Sequence, residues 1–241
     1  MKILVVFFLI LFFNPLAFSF FIEFEGGRVK ILKNQLKIPN DSGTRFDTSL
    51  SRPNEFYYYN VSSLFNLPRN FSLRFLYSSL IFDQSRLFSD DILFEGETFS
   101  KSSETEIYSK FNSYQFTIRY QFIGGSFLTT YIGLTGKIND HQIRLTQGNK
   151  KKYHIDSGYI PLFYFGGGLK LTDFLSVLFD FDVVGSSQLQ FAEGSTRIHA
   201  KYNSKVGFGW GYRVILKELD NNNIFQSSLI SCYNFSFDYR F

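Results

Sequence analysis

The chain has 241 residues, 32 of them phenylalanine and 15 tyrosine, with a formal charge of +4 and a pI near 9.0. That length suits a single domain, and the aromatic content favours pleated, half-buried strands. A lone cysteine, Cys232, excludes an intrachain disulfide and cysteine-built metal sites. No basic cluster is interleaved with exposed aromatics, which argues against a nucleic-acid partner.

The first 19 residues form a separate object. Lys2 precedes the apolar run Ile3 to Phe13, Asn14 and Pro15 break it, and Ala17-Phe18-Ser19 supplies small residues at a cleavage site. This predicts a signal peptide over 1–19, followed by one barrel domain over 20–241. An uncleaved anchor is the competing reading, because Ile3 to Ile22 is long enough to span a bilayer.

Beyond residue 19 the hydrophobic pattern has a period of two. Tyr114, Phe116, Ile118, Tyr120 and Phe122 alternate with Gln115, Thr117, Arg119 and Gln121. Val177, Phe179, Phe181 and Val183 alternate with Ser176, Asp180 and Asp182. Val206, Phe208, Trp210, Tyr212 and Val214 alternate with Gly207, Gly209, Gly211 and Arg213. Aromatic residues on one face and charges on the other, over roughly ten residues, match a transmembrane strand better than a sandwich strand. Ten strands are predicted, near 20–32, 55–66, 70–83, 108–122, 126–138, 158–171, 173–184, 195–203, 205–217 and 224–241. The connections alternate tight and long, with long polar stretches expected at 33–54, 84–107, 139–157, 185–194 and 218–223. This predicts an all-β, antiparallel, up-and-down transmembrane barrel with short periplasmic turns and longer external loops.

The chain ends YNFSFDYRF, placing Tyr233, Phe235, Phe237, Tyr239 and Phe241 on one face to the last residue. This ending resembles the C-terminal signature of Gram-negative outer-membrane β-barrels. The resemblance implies an outer-membrane location, a lipid and lipopolysaccharide environment, and a last strand read by the barrel-assembly machinery. The middle of the chain, with FEGETF, GLTGKIND and IRLTQG, is similar to small bacterial barrels without an assigned activity.

Turning the polar faces inward places Glu23, Glu25, Arg74, Arg119, Lys137, Lys170, Asp180, Asp182, Arg197, Lys201, Arg213, Asp238 and Arg240 in the lumen. Opposite charges in so narrow a space should cross-link one another and close it. Gly207, Gly209 and Gly211 would leave packing room for long side chains from across the barrel, or else a ligand cleft.

Asp180-x-Asp182 and Arg197-x-His199-x-Lys201 sit on adjacent predicted strands and form the nearest approach to a catalytic constellation. Outer-membrane aspartyl-type proteases resemble the chain in having ten strands, but their pattern needs an acid two residues before the His. Here that position is Arg197. The expectation is salt bridging of Asp180 and Asp182 with Arg197 and Lys201. The His-x-Ser spacing of lipid A deacylases is also absent, since Ile143, Asp156 and Lys201 follow His141, His154 and His199 at that distance.

The predicted loops differ in sign. Asp90, Asp91, Glu95, Glu97, Glu104 and Glu106 precede a basic stretch of Lys150, Lys151, Lys152 and His154. The lysines are candidates for lipopolysaccharide phosphate and the acids for a divalent cation, while docking of one loop on the other is the plainer outcome. The reading is a non-catalytic barrel with a structural or surface-binding role and no cofactor or metal. A small passive pore is second, and an outer-membrane hydrolase third.

Overall fold

A computed structural model describes residues 20–49 and 56–241; the predicted signal peptide lies outside the described residues. The chain forms β1 (Phe20–Lys37), β2 (Phe46–Asp47), β3 (Phe56–Asn66), β4 (Phe71–Arg86), β5 (Ile92–Phe94), β6 (Glu97–Phe99) and β7 (Thr105–Gly124). It continues as β8 (Leu128–Gln147), β9 (Lys150–Lys170), β10 (Leu175–Gly185), β11 (Leu189–Lys201), β12 (Val206–Asp220) and β13 (Phe225–Arg240). Ten of these pair with sequence neighbours, all antiparallel, and β13 closes on β1 to complete a barrel. The short strands β2, β5 and β6 belong to the loops at one end. Among the described residues there is no helix.

The outer wall explains the aromatic content. Leu134, Phe163 and Trp210 are 62%, 67% and 65% exposed, and the wall around them is a continuous apolar band. Tyrosines gather along one edge of it. Tyr77 lies 6.0 Å from Tyr59 and 5.0 Å from Tyr114, and Tyr212 lies 5.0 Å from Tyr233, ring centroid to centroid. Phenylalanines mark the other edge, where Phe20 stacks on Phe65 at 4.6 Å and on Phe241 at 5.2 Å. Tyr114 and Phe122 are eight residues apart, roughly 27 Å along an antiparallel strand. That separation matches the apolar band of a membrane-spanning barrel between its aromatic girdles.

Beyond the tyrosine edge the phase of the pattern inverts. Within the band Ile132, Leu134 and Ile138 of β8 face outward, whereas further along the same strand Ile143 and Leu145 face inward and are buried. On β4, Phe71 and Phe75 face outward, and Leu80 and Phe82 face inward. The outward positions then become polar, as in the Lys110–Asp140 ion pair at 2.7 Å. A strand leaving lipid for water must exchange its oily face for a wet one, and it keeps its period of two while doing so.

Two loop expectations are corrected here. The stretch 139–157 is no loop: β8 and β9 run through it as a hairpin with only Gly148 and Asn149 between them. The stretch 185–194 is mostly the start of β11, leaving residues 186–188 as the connection. The outward faces of both segments are largely polar, broken only by Tyr153 and Ile155 on β9 and Ala192 on β11, so the sustained apolar alternation that marks a lipid-facing strand is missing from them. The connections 38–55 and 87–104 are long, and at the other end 67–70, 125–127, 171–174 and 202–205 are short.

Candidate functional site: the barrel lumen

The lumen is stratified. At the long-loop end, Leu36, Ile38, Phe46, Phe88, Ile92, Phe94, Phe99, Ile107, Ile143, Leu145 and Ile224 form one buried apolar cluster. Loop residues and inverted strand ends contribute together, so the loops are folded into the barrel mouth. Polar ties fix them there. Asn34 donates to Thr48 at 2.6 Å, Gln84 to the Thr48 carbonyl at 2.9 Å, and Gln147 to the Ser100 carbonyl at 2.7 Å. Below this cap, Val29, Tyr58, Leu80, Phe82, Ile230 and Cys232 form a second apolar layer.

An ionic lattice follows at mid-depth. Arg74 on β4 reaches across the lumen to β10, with Nη1 on Asp180 and Nη2 on Asp182, both at 3.2 Å. Tyr164 also donates to Asp180 and Thr135 to Asp182, each at 2.5 Å. Arg213 bridges Glu25 at 3.1 Å and Glu193 at 2.7 Å, and Glu193 also accepts from Lys137 at 2.8 Å. Glu25 collects further hydrogen bonds from Tyr58 and Asn60, each at 2.8 Å. Arg197 pairs with Glu23 and lies 3.7 Å from Glu25. Asp180, Asp182, Glu25 and Glu193 thus each meet a cation and at least one neutral donor together, and Glu23 meets Arg197, the condition under which a charge is tolerated away from water.

The glycine column on β12 makes part of this geometry possible. His199 on β11 reaches over Gly207 to Asp238 on β13, with Nε2 at 2.5 Å from the carboxylate. A Cβ on Gly207 would lie 2.4 Å from that nitrogen and 2.5 Å from the Asp238 oxygen. At Gly211 a Cβ would lie 2.6 Å from Cβ of Arg197, which passes overhead on its way to Glu23 on β1. The missing side chains are the passage through which β11 contacts β13 and β1.

The expected pairing of Asp180 and Asp182 with Arg197 and Lys201 is corrected: Arg74 holds both acids. The register places Asp180 opposite Ser195 and Asp182 opposite Glu193, so the basic residues of β11 sit nearer the short-turn end. Lys201 is exposed there. Arg119 donates to Ser72 at 2.8 Å and Tyr164 at 3.3 Å. Glu193 and Tyr164 are lattice members that sequence reasoning missed. Glu193 lies in the stretch 185–194 expected to be a loop, although Phe191-x-Glu193-x-Ser195-x-Arg197 continues the alternation back to it.

Lys150, Lys151 and Lys152 do not converge. They stand in a strand, so Lys151 points away from the other two. Lys150 pairs with Glu97 at 3.2 Å and donates to the Thr98 carbonyl at 2.9 Å, and His154 meets Glu95 at 2.6 Å. The basic hairpin docks on the acidic loop. Among the described residues no cluster of three or more acids, histidines or cysteines could hold a metal. At the C-terminus, Tyr233, Phe235 and Phe241 are exposed on the lipid-facing wall, with Phe237 and Tyr239 half-buried between neighbours.

No protein-family model matches the chain, and no curated protein matches it. Among solved structures it is similar to the outer-membrane protease OmpT from Escherichia coli, at 10% identity over 95% of this chain and 99% of that one, TM-score 0.54. Neisserial surface protein A matches at 10% identity over 93% and 99%, TM-score 0.39. The attachment invasion locus protein Ail of Yersinia pestis matches at 8% identity over 90% and 97%, TM-score 0.34. A shared barrel fold rests on the first of these.

Proposed function

We propose that this chain is an integral outer-membrane barrel, sealed against flow, that acts through its outer surface and performs no catalysis. The apolar cap at the loop end carries this reading, because it fills the mouth that a pore would leave open. The outer surface is also large. A membrane crossing takes about 9–11 residues per strand. β7 and β8 have 20 residues and β9 has 21, against 11 in β10. One wall therefore projects well beyond the bilayer as a rigid three-stranded face, with Arg144 stacked on Tyr108 and with Tyr153 and Ile155 exposed.

Against catalysis stand the occupied acids. A carboxylate that activates water must accept the water's proton on its own oxygen, and here Arg74 holds both acids while Tyr164 and Thr135 donate to them as well. In the membrane, lipid and lipopolysaccharide would contact the aromatic band, and the barrel-assembly machinery would read the terminal aromatics. Recording from purified protein in planar bilayers tests the seal. The expected result is a baseline without porin-sized steps. Stable openings would establish the passive pore, and hydrolysis of peptide, phospholipid or lipid A by the same preparation would establish an enzyme.

A further inference from the structure

The lumen is closed at the loop end but hollow at the other. Between the ionic lattice and the short turns lies a cavity of about 450 Å³ that opens past Phe127 and Phe174. Its size is that of a small-molecule site. In a barrel oriented as proposed above, it faces the periplasm.

Its charge is uneven. Seven lysines and arginines line it against four carboxylates. Arg74, Arg197, Arg213 and Lys170 are answered by acids within 4 Å. Arg119 and Lys201 are not: among the described residues neither has a carboxylate within that distance. Arg240 is exposed and reaches Asp238 only at 3.8 Å. Arg119 is held in place by Ser72 and Tyr164, and its guanidinium lies over the Tyr131 ring, 4.2 Å from the centroid. Elsewhere in the cavity lining, Arg74 and Arg197 each leave a buried Nε–H without an acceptor, and Asn60 leaves its buried Oδ1 without a donor. An arginine fixed on neutral groups, without its own acid, in a cavity also lined by two guanidiniums with orphaned donors, is an unfinished anion site. Leu64, Leu76 and Leu178 share the lining, so an anion entering here also meets an apolar wall.

We propose that this vestibule binds a small organic anion, one acidic group on a compact apolar body, taken up from the periplasmic side. The acidic group sits between Arg119 and Lys201, and the apolar body lies against the leucines and Tyr131. Entry neutralises Arg119 and leaves the Arg74 and Arg197 ion pairs intact.

The test uses the folded full-length barrel in detergent and equilibrium dialysis of labelled benzoate. Saturable one-to-one binding is expected, weakened by raised salt because the site opens to solvent. Arg119→Gln should weaken it about tenfold or more, the range for one charge-assisted hydrogen bond. Lys201→Gln should weaken it less. Lys201 is exposed, so this variant serves should Arg119→Gln fail to fold. Neutral benzamide should not compete. Inorganic phosphate competing with benzoate would support a site that reads charge first; phosphate failing to compete would support one that needs the apolar body as well. Absence of saturable benzoate binding, equal binding of benzamide, or binding unchanged in both variants would overturn the proposal.

Discussion

Arg74 neutralises two carboxylates at once, so its loss differs from the loss of either acid. Arg74→Met would strand Asp180 and Asp182 in the lumen, and breaking a buried pair this way costs about 3–5 kcal/mol, less where vestibule water reaches the acids. The urea midpoint in micelles should fall accordingly, and more than for Asp180→Asn alone. Adding Asp180→Asn and Asp182→Asn to Arg74→Met should recover most of the loss. Failure to recover would mean that the arginine matters for packing and not for charge. Gly207 supports a second expectation at the same scale. Gly207→Ala pushes a methyl into the His199–Asp238 contact, and overpacking of this kind costs about 1–3 kcal/mol. An unchanged midpoint would show that the contact across β12 is absent. Sequence reasoning put all three glycines on the lumen face, but it could not say what crosses them, because partners on β13 and β1 depend on closure of the sheet.

The strands themselves were largely legible, since ten of them alternate and lipid demands aromatics on one side. What escaped notice lies beyond the bilayer. On β8 the apolar residues move from Ile138 on the outside to Ile143 on the inside, and a search for one continuous oily face stops between them. The resulting hairpin is a structural brace. Its Gln147 and Lys150 hold the loop that carries β5 and β6. Leu145 and Lys152 face each other across the ladder. Joining them by Asn-Gly, a favoured two-residue turn, removes both anchors while leaving the register intact. The shortened protein should still fold as a heat-modifiable barrel, yet be cut by trypsin after Lys101 much faster than the wild type. Equal resistance would mean that the cap is held by its apolar packing and its remaining polar ties, His154–Glu95 among them.

For the whole molecule, the seam between first and last strands decides whether a barrel exists. Phe241 donates its backbone N–H to the Phe20 carbonyl at 3.0 Å and stacks on the Phe20 ring. A terminal aromatic therefore has a contact to lose as well as the assembly role proposed for it. Deleting Phe241 should lower the amount of folded barrel in cells sharply, while purified protein refolded in detergent recovers near wild-type stability. If refolding in detergent fails to the same degree, the seam contact explains the defect and no signal need be invoked. The location of the terminal strand was readable from YNFSFDYRF; its partner was not, because that pairing spans the full length of the chain.

An apolar cap at one end of the lumen and an open vestibule at the other also give the protein sidedness toward solutes. In the proposed orientation, protons, ions and small reagents in the external medium would meet the cap and the projecting hairpin, whereas those in the periplasm would have access to Arg119, Lys201 and the underside of the ionic lattice. A membrane-impermeant amine-reactive label applied to intact cells should therefore modify Lys151 and spare Lys201, and the order should reverse when the label is released inside the outer membrane. In the proposed orientation two compartments would act on one chain without mixing within it: the surface would answer to the environment, and the vestibule to the cell's own periplasm.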